Sequence, residues 1–589
     1  MLIHLGSNKK KIVISLLTML LVSNAVTLKR EKSIMYSRVA ITGLVASSVL
    51  TYYNLHVTSL STGIGIYGGL FNITAFTQGF NLFILIITSA ILVLTAFLPR
   101  KISINEISSP FNIISTKIYY DKNTISNRTD ESFRIIEYAL ITLFVLCGSI
   151  FLMSTGDLIS IFLAIELQSY GLYILCSLYR DSESSTGSAL TYFLLGGLSS
   201  CFILLGSALL YANSGTTALD NIYIITSISD VQIKIGESSN YNYLSSLYLY
   251  QSYFYHISLI IMVVGFLFKV SAAPFHFWAP DVYDGIPTIV TTFVAIIGKI
   301  SIFAFFLELV YYTEYSLFDF NWSSIFLFSS LLSLIIGSVL GLSQFRIKRL
   351  FAYSTISHVG FILLALSINT TESISAYIFY ILQYSLSNLN AFILLVTIGY
   401  TFYLYVYSKE ENNEKEEIFI DKANSPIQLV SQIKGYFNIN PYISISLGVT
   451  LFSFVGIPPL IGFFAKQMIL SAALDSGYVF MSLVAIITSV IGAVYYLNLI
   501  KQIFFFNHDY STNPAIIKDN GYIHLTGYTS TRYNKKIVKK ITFSPESIKI
   551  SSSLSSIISI VTLLLVLFIN MPSEWFNIVS ILTLIIFKA

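Results

Sequence analysis

Long apolar runs separated by short polar breaks fill most of the 589-residue chain. A helix needs about 20 apolar residues to cross the roughly 30 Å hydrocarbon core of a membrane. The pattern therefore predicts an all-α polytopic membrane protein with about fourteen transmembrane helices. We expect these helices near residues 12–28, 37–56, 79–99, 133–153, 157–179, 188–212, 255–283, 287–311, 321–343, 349–369, 373–407, 440–475, 477–506 and 550–571. The tail after Pro572 is too short to cross, and we expect it at the membrane interface.

The basic residues test this assignment, because lysine and arginine concentrate on the inner side of membrane proteins. With the N-terminus outside, 26 of the 34 basic residues fall on inner loops and 5 on the outer side. This distribution favours both the number of crossings and the orientation. The cluster Lys9–Lys11 lies on the unfavoured side, and with the apolar run after it resembles a signal sequence. We expect this segment to be retained as the first helix.

Composition excludes several classes of function. Charged residues make up only 11% of the chain, against about 25% in soluble domains. Cys147, Cys176 and Cys201 show no CxxC spacing, so we expect no iron–sulfur, zinc or disulfide framework. No glycine-rich nucleotide loop is found, and we expect any redox cofactor on another chain. The basic run 535–540 falls on an inner loop, where it anchors topology, so we expect no nucleic acid as a partner. We interpret the charged segment 409–422 as a solvated loop.

Four charged residues lie deep inside predicted helices, namely Glu166, Lys269, Lys299 and Lys466. Each costs roughly 2.5–3.5 kcal/mol on insertion scales when unpaired. At about 1.5 Å per residue from the helix ends, all four lie near the middle of the membrane on four different helices. One interpretation is that each charge staples two helices, but one carboxylate cannot pair with three lysines. The row favours a proton path, because the pKa of a buried amine depends on the distance of its counter-ion.

Prolines interrupt two of the charged helices. Pro274 follows Lys269 in "GFLFKVSAAPFHFWAPD", and Pro458 and Pro459 precede Lys466 in "GIPPLIGFFAKQM". Proline removes a backbone hydrogen bond, and the freed groups are tolerated at that depth only when protein or water covers them. Two interrupted helices, the seventh and the twelfth, cross in opposite directions and indicate an inverted repeat of two five-helix bundles.

This repeat divides the chain into five predicted parts. An N-terminal part with three helices and a basic loop precedes two repeats of five helices each, and a basic loop and a C-terminal helix with its tail follow them. The boundaries are 1–132, 133–311, 312–506, 507–549 and 550–589.

Other polar residues lie near the row of charges. His358 in "AYSTISHVGF" titrates near neutral pH when unperturbed and is either a relay or a structural histidine. Asn388 and Asn390 either hold water or join helices by hydrogen bonds. His276 is a candidate cap of the broken backbone. Glu308 is either an exit group or a surface charge, and the sequence does not distinguish the two.

Several of these segments resemble a known family. The stretches "ELQSYGLYIL" (166–175), "ALTYFLLGGLSSCFILLG" (189–206), "FKVSAAPFHFWAPDVYDGIPT" (268–288), "RLFAYSTISHVGF" (349–361) and "GIPPLIGFFAK" (456–466) are similar to the subunit 2 family of antiporter-like membrane subunits of respiratory complex I. The loops and the length resemble fungal mitochondrial members, and the abundance of residues with A/T-rich codons also suggests an organellar or endosymbiont genome. A biased nuclear or bacterial genome is the alternative.

The resemblance implies roles for the buried charges. Glu166 would be the acid of the fifth helix, Lys269 and Lys466 the lysines of the two broken helices, and Lys299 the central relay. The lysine at the last position favours subunit 2 over subunit 4, which has a carboxylate there. Thr191 stands where bacterial relatives place a lysine, so the path here is expected to depend on water instead.

The expected function is proton translocation along Glu166, Lys269, Lys299, His358 and Lys466, driven by redox chemistry elsewhere in NADH:ubiquinone oxidoreductase. The resemblance places NADH, FMN, iron–sulfur clusters and ubiquinone on other subunits. It implies other membrane-arm subunits, phospholipid and protons as partners, in the mitochondrial inner membrane with the N-terminus toward the intermembrane space. The alternatives are a stand-alone or Mrp-type cation/proton antiporter and a structural subunit whose charges only hold helices together.

Overall fold

A computed structural model gives the fold of most of the chain. It describes residues 13–23, 33–56, 63–96, 100–102, 137–180, 182–225, 242–313, 322–402, 405–407, 427–507, 510–512, 521–525, 537–541, 548–550 and 552–588. The loop predicted at 409–422 and the cluster Lys9–Lys11 lie outside these residues, as does most of the loop 507–549.

Helices dominate the described residues. In chain order they are α1 (Val13–Ser23), α2 (Ser33–Leu55), α3 (Ala75–Ala96), α4 (Glu137–Leu152), α5 (Leu158–Ser177), α6 (Glu183–Ser214), α7 (Asn242–Val270), α8 (Trp278–Gly285), α9 (Thr288–Thr313), α10 (Ser324–Leu342), α11 (Ile347–Ile368), α12 (Thr371–Phe402), α13 (Pro441–Val455), α14 (Ile461–Asp475), α15 (Val479–Phe505), α16 (Ser552–Leu567) and α17 (Pro572–Lys588). Each of the fourteen predicted crossings coincides with one helix or with two consecutive helices. The prediction of an all-α polytopic membrane protein is confirmed.

Length and hydropathy agree with this assignment. Within the described residues, nine helices are long and apolar enough to cross a membrane, and four shorter helices are also apolar. Three helices, α9, α11 and α12, are buried along nearly their whole length, whereas less than half of α6, α15 and α16 is buried. The core therefore lies around α9, α11 and α12, and the exposed apolar faces of the outer helices suit contact with lipid.

Short strands pair outside the helices. They form four antiparallel ladders, which are β1 (Ile64–Ile66) with β2 (Phe71–Ile73), β3 (Arg100–Ile102) with β8 (Ile548–Ile550), β4 (Tyr405–Tyr407) with β5 (Tyr510–Thr512), and β6 (Gly521–Leu525) with β7 (Ile537–Ile541). The ladders β3–β8 and β4–β5 join the ends of α3, α12, α15 and α16, all of which the basic residues assign to the inner side.

Contacts between loops agree with the predicted alternation of crossings. Asp157, before α5, bridges to Ala218, after α6, and both belong to the predicted outer side. Arg346 bridges to Leu429, and both belong to the predicted inner side. The loops are therefore sorted into two groups, although the side of the membrane that the N-terminus faces stays a prediction.

Both predicted interruptions are present, and each divides one expected crossing. Instead of a single helix over 255–283, α7 ends at Val270 and α8 begins at Trp278. The crossing expected over 440–475 is divided into α13 and α14, where Gly456 adopts φ 86° and its N–H bonds to the Phe452 carbonyl. Glycine suits this left-handed helix end because it has no side chain to clash.

The two breaks differ in their cover. Ser271, Ala272 and Ala273 in the first break are fully buried by this chain. In the second break, Ile457 is 37% exposed, and both following prolines are exposed. At the end of the first break Phe277 is 69% exposed, so the chain covers the beginning of this break and leaves the middle of the second one open.

The tail forms a helix that packs on this bundle. Within α17, the ring of Phe576 lies 5.3 Å from that of Phe379 in α12, and Leu582 lies beside Gly79 in α3. Its location at the membrane interface stays a prediction, as do the domain boundaries 1–132, 133–311, 312–506, 507–549 and 550–589.

Close packing of α6 on α7 gives a test of the fold. A methyl group at Gly206 would lie 2.6 Å from the Met262 backbone nitrogen, whereas one at Gly187 on the same helix would meet nothing within 4 Å. Backbone cannot move aside as a flexible side chain can, so Gly206→Ala should separate the helices and destabilise the protein by about 1–3 kcal/mol. The matched change Gly187→Ala should be neutral or stabilising by up to about 1 kcal/mol. Thermal unfolding in detergent checks this, and equal midpoints for the two variants would contradict the packing.

Candidate functional site

Glu166 on α5 and Lys269 on α7 form an ion pair inside the bundle. The Lys269 Nζ lies 3.6 Å from Glu166 Oε1, and the two side chains are 7% and 14% exposed. Lys269 also donates to Ser200 Oγ at 3.2 Å and to the Tyr173 hydroxyl at 3.5 Å. The ammonium thus has oxygen partners on α5 and α6, and its distance to the carboxylate exceeds that of a normal hydrogen bond.

A glycine brings Tyr173 to this pair. A Cβ at Gly196 on α6 would lie 1.9 Å from the Tyr173 hydroxyl oxygen. Only a residue without a side chain lets the tyrosine ring lie against α6 at this point. The Lys269 Nζ lies 5.9 Å from the centre of the Tyr173 ring and 3.5 Å from its hydroxyl, so the tyrosine contacts the ammonium with its hydroxyl edge.

A small cavity joins Lys269 to Lys299. Both lysines line it, together with the polar residues Gln168, Ser169 and Tyr192. The space open to water molecules is about 20 Å³, and one buried water needs about 10–15 Å³ by this measure. The cavity is therefore large enough for water between the two ammonium groups. The expectation that water connects them stays a prediction.

Lys299 lies between the two halves of the structure. Its side chain is almost fully buried on α9, and Nζ donates to Thr355 Oγ1 on α11 at 3.2 Å. On another side, Nζ lies 5.8 Å from the centre of the Tyr283 ring on α8. One hydroxyl and one aromatic face from two different elements therefore hold this ammonium.

His358 lies on the same helix as Thr355, three residues further along α11. Its Nδ1 is hydrogen-bonded to the Tyr380 hydroxyl at 2.7 Å, and its Nε2 lies 3.3 Å from the Tyr496 hydroxyl. The imidazole is in electrostatic range of both Lys299 and Lys466. Since hydroxyl groups both donate and accept, either ring nitrogen has a partner that can exchange a proton.

Lys466 reaches back to the second break. Its Nζ donates to the carbonyls of Phe454 and Val455 at 2.9 Å each. These carbonyls belong to the last turn of α13, where the helix has no further N–H groups to offer them. The carboxyl end of a helix carries partial negative charge, so the broken helix itself binds the ammonium.

The five predicted residues thus occur in the order α5, α7, α9, α11 and α14 across the bundle. Direct contact joins only the first two. Lys269 and Lys299 share the cavity, and His358 lies in electrostatic range of the two lysines on either side of it. The five residues are held in one connected region, with tyrosine and threonine hydroxyls between them.

The remaining candidates are placed as follows. Thr191 is exposed, and its hydroxyl bonds to the Ser188 carbonyl of its own helix, so it lies apart from the path. The side-chain amide of buried Asn390 has no hydrogen-bond partner among the described residues. The predicted role of joining two helices by a hydrogen bond therefore has no partner atom there. His276 is buried in the first break with its ring on Phe277. Glu308 is half-buried near the end of α9.

Sequence reasoning missed several polar residues of the site. Ser200 and Tyr173 hold Lys269, Thr355 holds Lys299, and Ser301 donates to Gln168 Oε1 at 3.1 Å beside the cavity. A weak signal existed for Thr355, because residues three apart share a helix face and it precedes His358 by three positions. Ser200 carried no such signal.

Comparisons with known proteins found relatives in sequence and in fold. The family described as "NADH:quinone oxidoreductase/Mrp antiporter, TM" matches residues 155–492. The NADH-ubiquinone oxidoreductase chain 2 of Rhizopus oryzae is 40% identical over 98% of this chain and 99% of its own length. A chain in respiratory complex I from Thermus thermophilus with bound aureothin is similar in fold, with a TM-score of 0.64, 22% identity, and 97% and 98% of the two chains covered. A chain in the Mrp complex from Dietzia sp. is also similar, with a TM-score of 0.67, 16% identity, and 98% and 97% covered.

The contact between Tyr173 and Lys269 gives a structural test. In Gly196→Ala the new methyl group would occupy the place of the Tyr173 hydroxyl, so the tyrosine should turn away and its contact with Lys269 should be lost. Gly197→Ala is the matched control, because a methyl group there meets nothing within 4 Å. Structures of the two variants would check this, and an unmoved Tyr173 in Gly196→Ala would contradict the packing.

Proposed function

Because the chain belongs to the NADH-ubiquinone oxidoreductase chain 2 family, we propose that Glu166, Lys269, Lys299, His358 and Lys466 form the path along which it carries protons. The protein is a proton-translocating, antiporter-like membrane subunit of respiratory complex I in the mitochondrial inner membrane. The observation that carries the assignment of residues is the ion pair of Glu166 with Lys269, followed by the cavity that Lys269 shares with Lys299 and by the hydrogen bond from Lys299 to Thr355 on the helix of His358.

The Glu166–Lys269 pair starts the series. An approaching carboxylate favours the charged form of an amine, and a retreating one favours release of the proton. At 3.6 Å, the pair is held by attraction and not by a hydrogen bond of normal length. Redox chemistry elsewhere in the complex changes this separation, and Lys269 then passes its proton into the cavity shared with Lys299.

The second half of the path continues from Lys299. Thr355 accepts a hydrogen bond from Lys299, and His358 stands between Lys299 and Lys466 with a tyrosine hydroxyl on each ring nitrogen. Lys466 receives the proton beside the second break, where α13 ends and its last carbonyls have no N–H partners within the helix. Release occurs from there, because Ile457 and both prolines of this break are exposed close to the carbonyls that bind Lys466.

The cofactors belong to other subunits in this proposal, and the chain carries no redox centre of its own. NADH, FMN, iron–sulfur clusters and ubiquinone act elsewhere, and phospholipid and protons complete the partners. The N-terminus faces the intermembrane space, as the basic residues favour.

Other complex I subunits are partners of this chain. The uncovered second break supports a subunit beside α13 and α14, because irregular backbone at membrane depth must be covered by protein or water. Ile457 and the two prolines after it are exposed on this chain alone.

Two rival functions predict different behaviour. The likeness to the Mrp complex concerns the fold, since identity is 16%, and the 40% identity to a complex I chain over nearly the whole length favours complex I. A purely structural role for the charges predicts that exchanging partners preserves function. The structural role does not account for three buried lysines with one carboxylate as well as a proton path does.

Removing either member of the ion pair tests the path. Glu166→Gln and Lys269→Met should lower proton pumping and NADH oxidation together in coupled membranes by about tenfold or more, because proton transfer groups contribute roughly 10²–10⁴-fold to a rate. Glu183→Gln, on the exposed first turn of α6, is a control with the same chemical change. Unchanged pumping in both path variants would remove the proposal.

Exchanging the two charges distinguishes a role in proton transfer from a purely structural role in holding α5 and α7 together. The double variant Glu166→Lys with Lys269→Glu keeps an ion pair between α5 and α7 but moves the acid to a helix that ends at the break. We expect assembly without pumping, measured as proton uptake per NADH oxidised. Full activity in the exchanged protein would establish a structural role instead.

Partner subunits are tested on a native gel after mild detergent extraction. We expect the band containing this chain to be very large and to stain for NADH oxidation. A small band without that activity would favour the antiporter, and sodium/proton exchange in liposomes would then be measured.

A further inference from the structure

Lys348 is a fourth buried lysine among the described residues, and the path proposed above does not use it. It lies in the first turn of α11 and is 1% exposed. Its Nζ donates to the Ile286 carbonyl at 2.6 Å and to the Asp284 carbonyl at 3.2 Å. Both carbonyls lie at the carboxyl end of α8, where a helix leaves its last carbonyls without N–H partners.

The location of this lysine is electrostatically unusual. Cations are disfavoured at a helix amino end, which carries partial positive charge, and α11 begins with Arg346, Lys348 and Arg349. All three turn to α8. Arg346 pairs with Asp284, and Arg349 pairs with Asp281 at 2.8 Å and with Asp284 at 3.3 Å. The negative end of α8 and its carboxylates thus offset the cost, and the two helix ends are joined.

Burial separates the roles of the three cations. The side chains of Arg346 and Arg349 are 52% and 40% exposed, and exposed ion pairs contribute little stability. The buried Lys348 donates to two backbone carbonyls and so defines where the end of α8 lies. Lys348 therefore holds the carboxyl end of α8 against α11, and the two arginines form more exposed ion pairs beside it.

The two elements joined by Lys348 are the two that hold Lys299. Tyr283, on α8, presents its ring to the Lys299 ammonium at 5.8 Å. Thr355, on α11, accepts its hydrogen bond at 3.2 Å. Tyr283 directly precedes Asp284, whose carbonyl Lys348 binds, and Thr355 lies two helical turns above Lys348 on the same helix.

The other end of α8 is fastened to the first half of the path. The Trp278 indole nitrogen donates to the Phe268 carbonyl at 2.7 Å, across the break and next to Lys269. Its ring stacks on Tyr192, which lines the cavity. A helix of eight residues, held at both ends, therefore lies between the surroundings of Lys269 and those of Lys299.

We propose that Lys348 is a positioning residue of the proton path, which fastens the carboxyl end of α8 to α11 and so sets Tyr283 and Thr355 around the Lys299 ammonium. This inference rests on the proposed role of Lys299. Under this inference, proton transfer requires the contact between α8 of the first repeat and α11 of the second. The charges within each repeat are not sufficient. Loss of the fastening misplaces the partners of Lys299 without removing any group of the path.

The test compares Lys348→Met, which keeps the length of the side chain without its charge, with Lys501→Met, an exposed lysine near the end of α15. Pumping is measured per assembled complex, counted from the NADH-stained band on a native gel. We expect Lys348→Met to assemble and to pump about tenfold more slowly, since small misplacements of reacting groups have large effects on rate. Lys348→Arg, which keeps the charge and the N–H donors, should stay within about twofold of the unmodified protein, as should Lys501→Met.

A double-mutant cycle asks whether Lys348 acts through Thr355. Thr355→Val removes the hydrogen bond to Lys299 and keeps the side-chain shape. If Lys348 only positions this contact, the double variant Lys348→Met with Thr355→Val should be no slower than the slower single variant. Losses that multiply in this double variant and also in Lys348→Met with Tyr283→Leu would overturn the inference, because they would show effects independent of both partners of Lys299.

Two further results would also overturn it. One is less assembled complex with an unchanged rate per complex, which indicates a purely structural lysine. The other is Lys348→Met pumping as Lys501→Met does. Lys299→Met shows whether the Lys348 inference or the proposed path has failed. Unchanged pumping in Lys299→Met would refute the path itself. Lost pumping in Lys299→Met would leave the path standing and refute only the inference about Lys348.

Discussion

An ammonium group inside a membrane protein must be surrounded by oxygen atoms, and four buried lysines in the described part of the chain find them in three ways. Lys269 faces a carboxylate and two hydroxyls. Lys299 has one threonine hydroxyl. Lys466 and Lys348 bind backbone carbonyls at helix ends. A backbone carbonyl is fixed in place and cannot take a proton, whereas a carboxylate can approach or retreat from an ammonium. The kind of partner therefore separates lysines that stay charged from lysines whose protonation can change.

Helix ends inside the bundle make two of these arrangements possible. The last carbonyls of a helix lack N–H partners and carry partial negative charge, so ending a helix in the interior creates a cation site. Aligned on Pro274 and Pro459, the position of Lys269 corresponds to Phe454, whose carbonyl binds Lys466. The two lysines come from opposite sides of their breaks, yet both ammonium groups lie beside the end of the first half-helix.

Much of the fold and part of the site could be predicted from single residues. The apolar runs located the helices of all fourteen crossings because crossing a membrane requires about 20 apolar residues, and the four charges and two breaks stand out against such a background. Thr355 and Ser200 did not, because serine and threonine occur throughout apolar helices, where they bond to their own backbone. Only the register between helices shows that these two hydroxyls face lysines, while that of Thr191 bonds to its own helix.

By itself, the sequence located the fourteen crossings and the two breaks, and it predicts the alternation of loops and the depth of Glu166, Lys269, Lys299 and Lys466, because hydropathy and helical rise act along one chain segment at a time. The tertiary structure decided which groups meet: the separation of Glu166 and Lys269, the cavity beside Lys299, and the carbonyls that bind Lys466 and Lys348. These depend on packing between helices far apart in sequence, where a glycine such as Gly196 decides whether a tyrosine reaches an ammonium. Periodicity along one helix carries no information about the rotation of its neighbour.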